Sequence, residues 1–106
     1  MSNIFVHSVY FWLKPDLTEA QHTEFSEKVH SLLKTPGVEY GHVGVPAHTD
    51  RPVIDRTYSY YLLQVFSSDE AHTAYQTTDE NHQNFIRSCK DYWTKVVIYD
   101  SVAPSN

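Results

Sequence analysis

The sequence predicts an α+β fold in which helices cover one face of a four-stranded antiparallel sheet. Four segments alternate in side-chain character and are rich in β-branched and aromatic residues, as strands are. Two other segments carry apolar residues at the three- and four-residue spacing of a helix. The segments follow in the order β-α-β-β-α-β, which is the order of a ferredoxin-like split βαβ domain. With 106 residues, we expect one domain spanning residues 1–106.

The first strand, residues 4–13, is apolar on both of its faces. One face carries Phe5, His7, Val9, Phe11 and Leu13. The other face carries Val6, Ser8, Tyr10 and Trp12. Helices cover only one face of such a sheet, and a face left to water is normally polar. We therefore expect a second copy of the sheet to cover the other face, which predicts a homodimer packed sheet to sheet.

The remaining elements are bounded by capping and turn residues. The first helix covers residues 18–34 and begins with a capping box formed by Thr18 and Gln21. The second helix starts at Ser67 and is broken into two pieces by the "TTDEN" at 77–81. The other three strands cover residues 38–45, 57–66 and 95–101.

Composition narrows the classes of partner. The formal net charge of −5 argues against nucleic acid or an anionic membrane, because both would repel the chain. The single cysteine, Cys89, excludes an internal disulfide and a cysteine metal cluster. The N-terminal residues lack the basic stretch and cleavage site of a secretory signal, and no apolar run approaches the ~18 residues that span a bilayer. We expect a cytoplasmic protein.

Several motifs resemble the stress-responsive A/B barrel (Dabb) domain family over nearly the whole chain. They are the opening "VHSVYFWLKPDLTEAQ", the turn "LLKTPGV", the segment "YSYYLLQVFSSDEAHTAY" and the ending "NHQNFIRSCKDYWTKVVIYD". The resemblance implies a homodimer in which two sheets form one α+β barrel with the helices outside, and a link to stress. Family members often carry His-Pro-x-His before the last helix, whereas this chain has Asp79, Glu80, Asn81 and His82, so only the second histidine is kept.

Two histidines and a tyrosine are the candidate catalytic residues. If strands one and three are neighbours, we expect His7, Tyr60 and His82 to converge between the sheet and the helices. A histidine at a helix N-terminus meets the positive end of the helix dipole, which favours the neutral imidazole that a general base needs. A tyrosine hydroxyl can donate to a developing oxyanion. Three aromatic residues are expected to bind the ligand in the same pocket: Tyr58, Tyr75 and Phe85.

The resemblance adds a reaction to this constellation. A plant member of the family closes a polyketide chain by an intramolecular aldol reaction, and its catalytic histidine matches His82. Its strand-one histidine matches His7, whereas its strand-three histidine falls at Tyr60, which changes the chemistry.

Three functions therefore stay open. The first is a dimeric Dabb protein of unassigned activity that binds a small ligand between sheet and helices. The second is a cyclase- or lyase-like enzyme that acts on a small oxo or polyketide-type compound with His82 as general base. The third is a monooxygenase of the wider dimeric α+β barrel group. The structural alternative is that both histidines only satisfy hydrogen bonds in the core. We expect no cofactor and no metal, because no His-x-x-x-His pair occurs and Cys89 fits a core position.

Overall fold

The computed structural model describes residues 3–104 and has the predicted order of elements. The strands are β1 (Phe5–Leu13), β2 (Val38–Gly44), β3 (Tyr60–Phe66) and β4 (Trp93–Val102). The helices are α1 (Glu19–Ser31), α2 (Asp69–Thr77) and α3 (Glu80–Cys89), with 3₁₀ turns at Leu32–Lys34 and Lys90–Tyr92. The antiparallel strands lie in the order β2-β3-β1-β4. The predicted α+β, ferredoxin-like fold is therefore confirmed. None of the helices within residues 3–104 is long and apolar enough to cross a membrane.

Side-chain caps set the starts of the helices. Thr18 accepts a hydrogen bond from the backbone N–H of Gln21, and the Gln21 side chain accepts one from the backbone of Thr18, which confirms the capping box. Helix α2 begins one residue later than predicted, because Ser68 and not Ser67 caps it. The predicted break in the second helix is confirmed as the junction between α2 and α3.

The turn between α1 and β2 depends on a glycine. Gly37, the last residue of the "TPG" motif, has a φ of +89°, where residues with a Cβ are strained. A Cβ added there would also lie 2.6 Å from the Cβ of Ala71 in α2. The positive φ and the close approach together explain why a glycine occupies this turn.

The core lies between one face of the sheet and the helices. Phe11 of β1 packs edge-on against Phe25 of α1 and Phe85 of α3, with ring centroids 5.2 and 5.9 Å apart. Along β3 the residues alternate between buried and half-buried. The buried ones are Leu62, Gln64 and Phe66, and the half-buried ones are Tyr61, Leu63 and Val65. The helices therefore cover one face, and the other face, which we call the open face, has no helix above it within residues 3–104.

Candidate functional site

Strand register decides which side chains stand beside His7. On the helix side of the sheet, His7 lies between Gln64 of β3 and Asp100 of β4. The next two rows along β1 are centred on Val9 and Phe11. The sheet therefore presents one polar row followed by two apolar rows.

A cavity of about 180 Å³ lies between these rows and the helices α2 and α3. Its floor consists of Val9, Phe11, Leu62, Val96 and Ile98, and Trp93 completes the sheet side. Its helical walls are Tyr75 and Gln76 of α2 and His82 and Ile86 of α3, and His7 stands at its polar end. His7 and His82 thus share one cavity. We call it the helix-side cavity.

His82 is held at the junction of α2 and α3. Its backbone N–H donates to the carboxylate of Asp79, which caps α3, at 2.9 Å. Its ring stacks on the Tyr75 ring at 4.1 Å, and its Nδ1 lies 3.2 Å from the Tyr75 carbonyl oxygen. That carbonyl belongs to the last turn of α2, where carbonyls lack helical partners. The sequence folds this way because the short break between the helices brings one helix end against the other.

The hydrogen bonds of His82 define its tautomer. A backbone carbonyl only accepts, so Nδ1 carries the proton and Nε2 of the neutral ring is left as an acceptor. Burial lowers the pKa of His82, although the Tyr75 carbonyl and the Asp79 charge raise it in part. His82 is therefore a neutral imidazole near neutral pH, and its basic nitrogen is Nε2.

His7 has the same arrangement with a different partner. Its Nδ1 lies 2.6 Å from Oδ1 of Asp100, and its side chain is 2% exposed against 38% for Asp100. Since a carboxylate only accepts, Nδ1 donates and Nε2 is the remaining ring nitrogen. Burial lowers the pKa of His7 more than the hydrogen bond to Asp100 raises it. Each of the two histidines on the cavity therefore has an Nε2 that can accept a proton.

Three of the six predicted site residues lie at the helix-side cavity and three lie elsewhere. His7, His82 and Tyr75 line it, as expected. Tyr60 pairs with Phe11, two rows from His7, and packs on Phe25 at a centroid distance of 5.1 Å, so the expected convergence with the histidines is wrong for Tyr60. Phe85 is 3% exposed and belongs to the core.

Tyr58 was expected in the pocket between sheet and helices, and this placement is also wrong. Its ring lies 5.1 Å from that of Tyr10, on the open face. The chain precedes β3 at this point, so the alternation of the strand does not extend to Tyr58.

The open face carries a larger concavity of about 430 Å³. Its lining consists of Tyr10, Trp12, Asp55, Tyr58, Lys95, Val97 and Tyr99. The ammonium of Lys95 lies over the Trp12 ring, 4.6 Å from its centroid. Although this concavity is larger, its lining has no histidine, and it lies on the face that we expect a second copy to cover. The candidate histidines His7 and His82 line the helix-side cavity instead.

Fold and sequence together identify the family to which the chain belongs. The model of the stress responsive A/B barrel domain (Dabb) matches residues 5–103, and the chain belongs to that family. The chain matches no curated protein sequence.

Solved structures share the fold over almost the full length. A Dabb family protein from Mesorhizobium loti MAFF303099 is 22% identical with a TM-score of 0.74, and the match covers 96% of this chain and 98% of that one. A hydroxynitrile lyase from Passiflora edulis is 16% identical with a TM-score of 0.79, covering 100% and 98%. A dimeric ferredoxin-like protein of unknown function from Thermobifida fusca YX is 13% identical with a TM-score of 0.75, covering 97% and 93%.

Proposed function

We propose that this Dabb protein binds a small, mainly apolar molecule in the helix-side cavity, between His7 and His82. The observation that carries the proposal is that the buried His7 and the half-buried His82 line one cavity whose floor is apolar. Sites for small molecules typically combine apolar walls with a few convergent polar groups. A purely structural pair of histidines would not need a shared cavity.

The size of the cavity limits the ligand. An apolar cavity of roughly 150 Å³ in another protein accepts a benzene ring, and the helix-side cavity measures about 180 Å³. Ile86, Val96 and Ile98 line it and are between 37% and 48% exposed, so an apolar edge leads from solvent into it. The ligand class is therefore a single-ring or short-chain compound.

The polar part of the ligand follows from the tautomers. His7 and His82 hold their Nδ1 protons on Asp100 and Tyr75 and keep Nε2 as an acceptor. A hydroxyl group on the ligand satisfies such an acceptor, so small hydroxy compounds fit better than compounds with acceptors alone.

A binding experiment with benzyl alcohol tests this proposal. The alcohol combines one aromatic ring with one hydroxyl donor, and we expect saturable binding by ligand-observed NMR. His82→Phe keeps a ring against Tyr75 but removes both nitrogens, so it should weaken binding about tenfold, the effect of one lost hydrogen bond to a buried group. His22→Phe, at an exposed position of α1, is the control and should bind as the parent chain does. Equal binding by His82→Phe and the parent chain would contradict the proposal.

Lyase chemistry is the second candidate, and the free Nε2 of His82 favours it. In an α-hydroxynitrile, Nε2 takes the hydroxyl proton, the bond to the nitrile carbon breaks, a carbonyl forms, and the electron pair leaves with cyanide. The imidazolium then returns the proton to cyanide, so the step balances without a cofactor. The hydroxynitrile lyase of Passiflora edulis, which shares this fold, supports testing this substrate class.

The lyase proposal is tested with mandelonitrile. We expect release of benzaldehyde, followed by its ultraviolet absorbance, above the rate in buffer and above the rate with His82→Phe. A parent chain that binds benzyl alcohol but does not accelerate cleavage would exclude the lyase and leave the binding proposal intact.

We also propose that the chain is a homodimer joined through the open face of the sheet. Tyr10 on this face packs against Tyr58, Tyr61 and Tyr99, and Tyr99 is 65% exposed. Aromatic residues are enriched in the cores of protein interfaces. The dimeric ferredoxin-like protein of Thermobifida fusca, with the same fold, supports a dimer.

A further inference from the structure

A third histidine stands directly behind the pair formed by His7 and Asp100. His72 of α2 is 8% exposed, and its ring centroid lies 4.9 Å from that of His7. One ligand atom from each of His7, His72 and Asp100 lies within 4.8 Å of the others. Two imidazoles and a carboxylate thus offer ligand atoms to one small volume.

The Nε2 atom of His72 is buried and has no hydrogen-bond partner among residues 3–104. A buried polar atom left without a partner costs about 1–3 kcal/mol, so native proteins rarely keep one. The neighbouring side chains hold the ring in place, since it stacks on Phe5 at 4.0 Å and meets Phe66 edge-on at 5.4 Å. None of the neighbouring side chains in the described part of the chain is placed to give this nitrogen a hydrogen bond.

We propose that His7, His72 and Asp100 bind a divalent transition-metal ion of the zinc type. Zinc takes nitrogen and carboxylate ligands in a tetrahedral arrangement, in which the ligand atoms are about 3.4 Å apart. To bind the ion, Nδ1 of His7 and Oδ1 of Asp100 must move apart from their present 2.6 Å, and the most distant ligand atoms, now within 4.8 Å of one another, must come closer. The proton of His7 moves from Nδ1 to Nε2, and a water molecule fills the fourth position.

Local charge and access suit a cation. Asp69 and Asp100 both place negative charge near His72. Asp100 is 38% exposed and lies on the edge strand β4, so an ion reaches the cluster from solvent. His7 belongs to both sites, and bound zinc turns its Nε2 from an acceptor into a donor toward the helix-side cavity. The zinc titration contains no organic ligand, so its outcome is separate from that of the benzyl alcohol experiment.

The test is a zinc titration of the full chain, freed of metal by a chelator, in competition with a chromophoric chelator. We expect one ion per chain with a dissociation constant below about 1 µM, and a four-coordinate visible spectrum when Co²⁺ replaces Zn²⁺. His72→Phe keeps the ring that stacks on Phe5 and removes the ligand, and Asp100→Asn changes an exposed carboxylate. Each should weaken binding by more than about tenfold, since even the outer partners of metal ligands contribute about 10- to 100-fold.

His22→Phe is the matched control for the exposed histidines and should bind zinc as the parent chain does. Far-UV circular dichroism establishes that each variant is folded, and Asp100→Asn alone decides the question if His72→Phe is not. Absence of submicromolar zinc binding overturns the proposal, and so does unchanged affinity in a folded Asp100→Asn variant.

Discussion

The two faces of the sheet are built from similar residues but are covered differently. On the helix side, the central side chains of β1, which are His7, Val9 and Phe11, are buried, and His7 stands at the end of an apolar floor. On the open face, aromatic and aliphatic side chains of the same strand stay half-buried. The comparison teaches that hydrophobicity alone does not distinguish the two faces. What distinguishes the helix side is that the buried His7 and the half-buried His82 have fixed Nδ1 partners there.

The largest expected difference between the faces is in core stability. Leu62 is 1% exposed on the helix side, and Leu62→Ala should lower the free energy of unfolding by about 2–5 kcal/mol. Its neighbour Leu63 is half-buried on the open face, so Leu63→Ala should cost about 1 kcal/mol in the monomer. Urea denaturation at low protein concentration measures both values. Equal costs would contradict the assignment of the two faces.

The next effect concerns the proposed dimer. Leu63→Lys places an unpaired charge on the open face, and burying it against a partner costs about 3 kcal/mol or more, which is at least about 100-fold in the dimer dissociation constant. We expect a dimer for the parent chain and a folded monomer for Leu63→Lys in light scattering at micromolar concentration.

Thr73→Lys adds the same charge at an exposed position of α2 and is the control. It should remain a dimer. A monomeric parent chain at this concentration would remove the prediction of a homodimer.

A smaller effect appears in the dependence of stability on pH. Burial lowers the folded-state pKa of His82 below the ordinary value of 6.5, so as pH falls below that value the unfolded chain takes up the proton first. The free energy of unfolding should therefore fall with decreasing pH below about 6.5. Four neighbours are coupled to the protonation of His82. The Tyr75 carbonyl and the Asp79 charge raise its pKa in part, and the nearby His72 ring lowers it. A charge on His82 in turn lowers the pKa of His7. Burial also lowers the pKa values of His7 and His72, so their protonation lowers the free energy of unfolding in the same pH range.

His82→Gln should make this dependence shallower, measured as thermal unfolding between about pH 5 and 7.5. His22→Gln, at an exposed position, should leave the slope as it is. A slope that His82→Gln does not change would show that His82 is not buried as a neutral imidazole.

Alternation and capping patterns predicted the order of the elements and the face on which the residues of β1, and of β3 from Tyr60 onward, lie. They predicted both faces of β1, the position of His7 and the break that presents His82, because these features depend on local sequence. The same alternation failed for Tyr58, since the regular strand begins only at Tyr60.

Strand register accounts for the other differences. His7 pairs with Gln64 and Asp100, whereas Tyr60 pairs with Phe11, and no local pattern reveals these pairings. Asp100 and His72 were missed because they lie 93 and 65 residues from His7 in the chain. The sequence held one signal of a partner for His7, which is the acidic residue Asp100 on the same face of the last strand. A search for metal ligands at short spacing in the sequence cannot find this group, because its members lie on three separate elements, β1, α2 and β4.

The central claim is that a small ligand occupies the helix side and not the open face. The most direct measurement is the change in ring chemical shifts of the labelled protein on titration with benzyl alcohol. We predict saturable shifts at His7, Tyr75 and His82, with Tyr10 and Tyr99 unchanged. Saturable shifts at Tyr10 and Tyr99, with the three helix-side rings unchanged, would contradict the account.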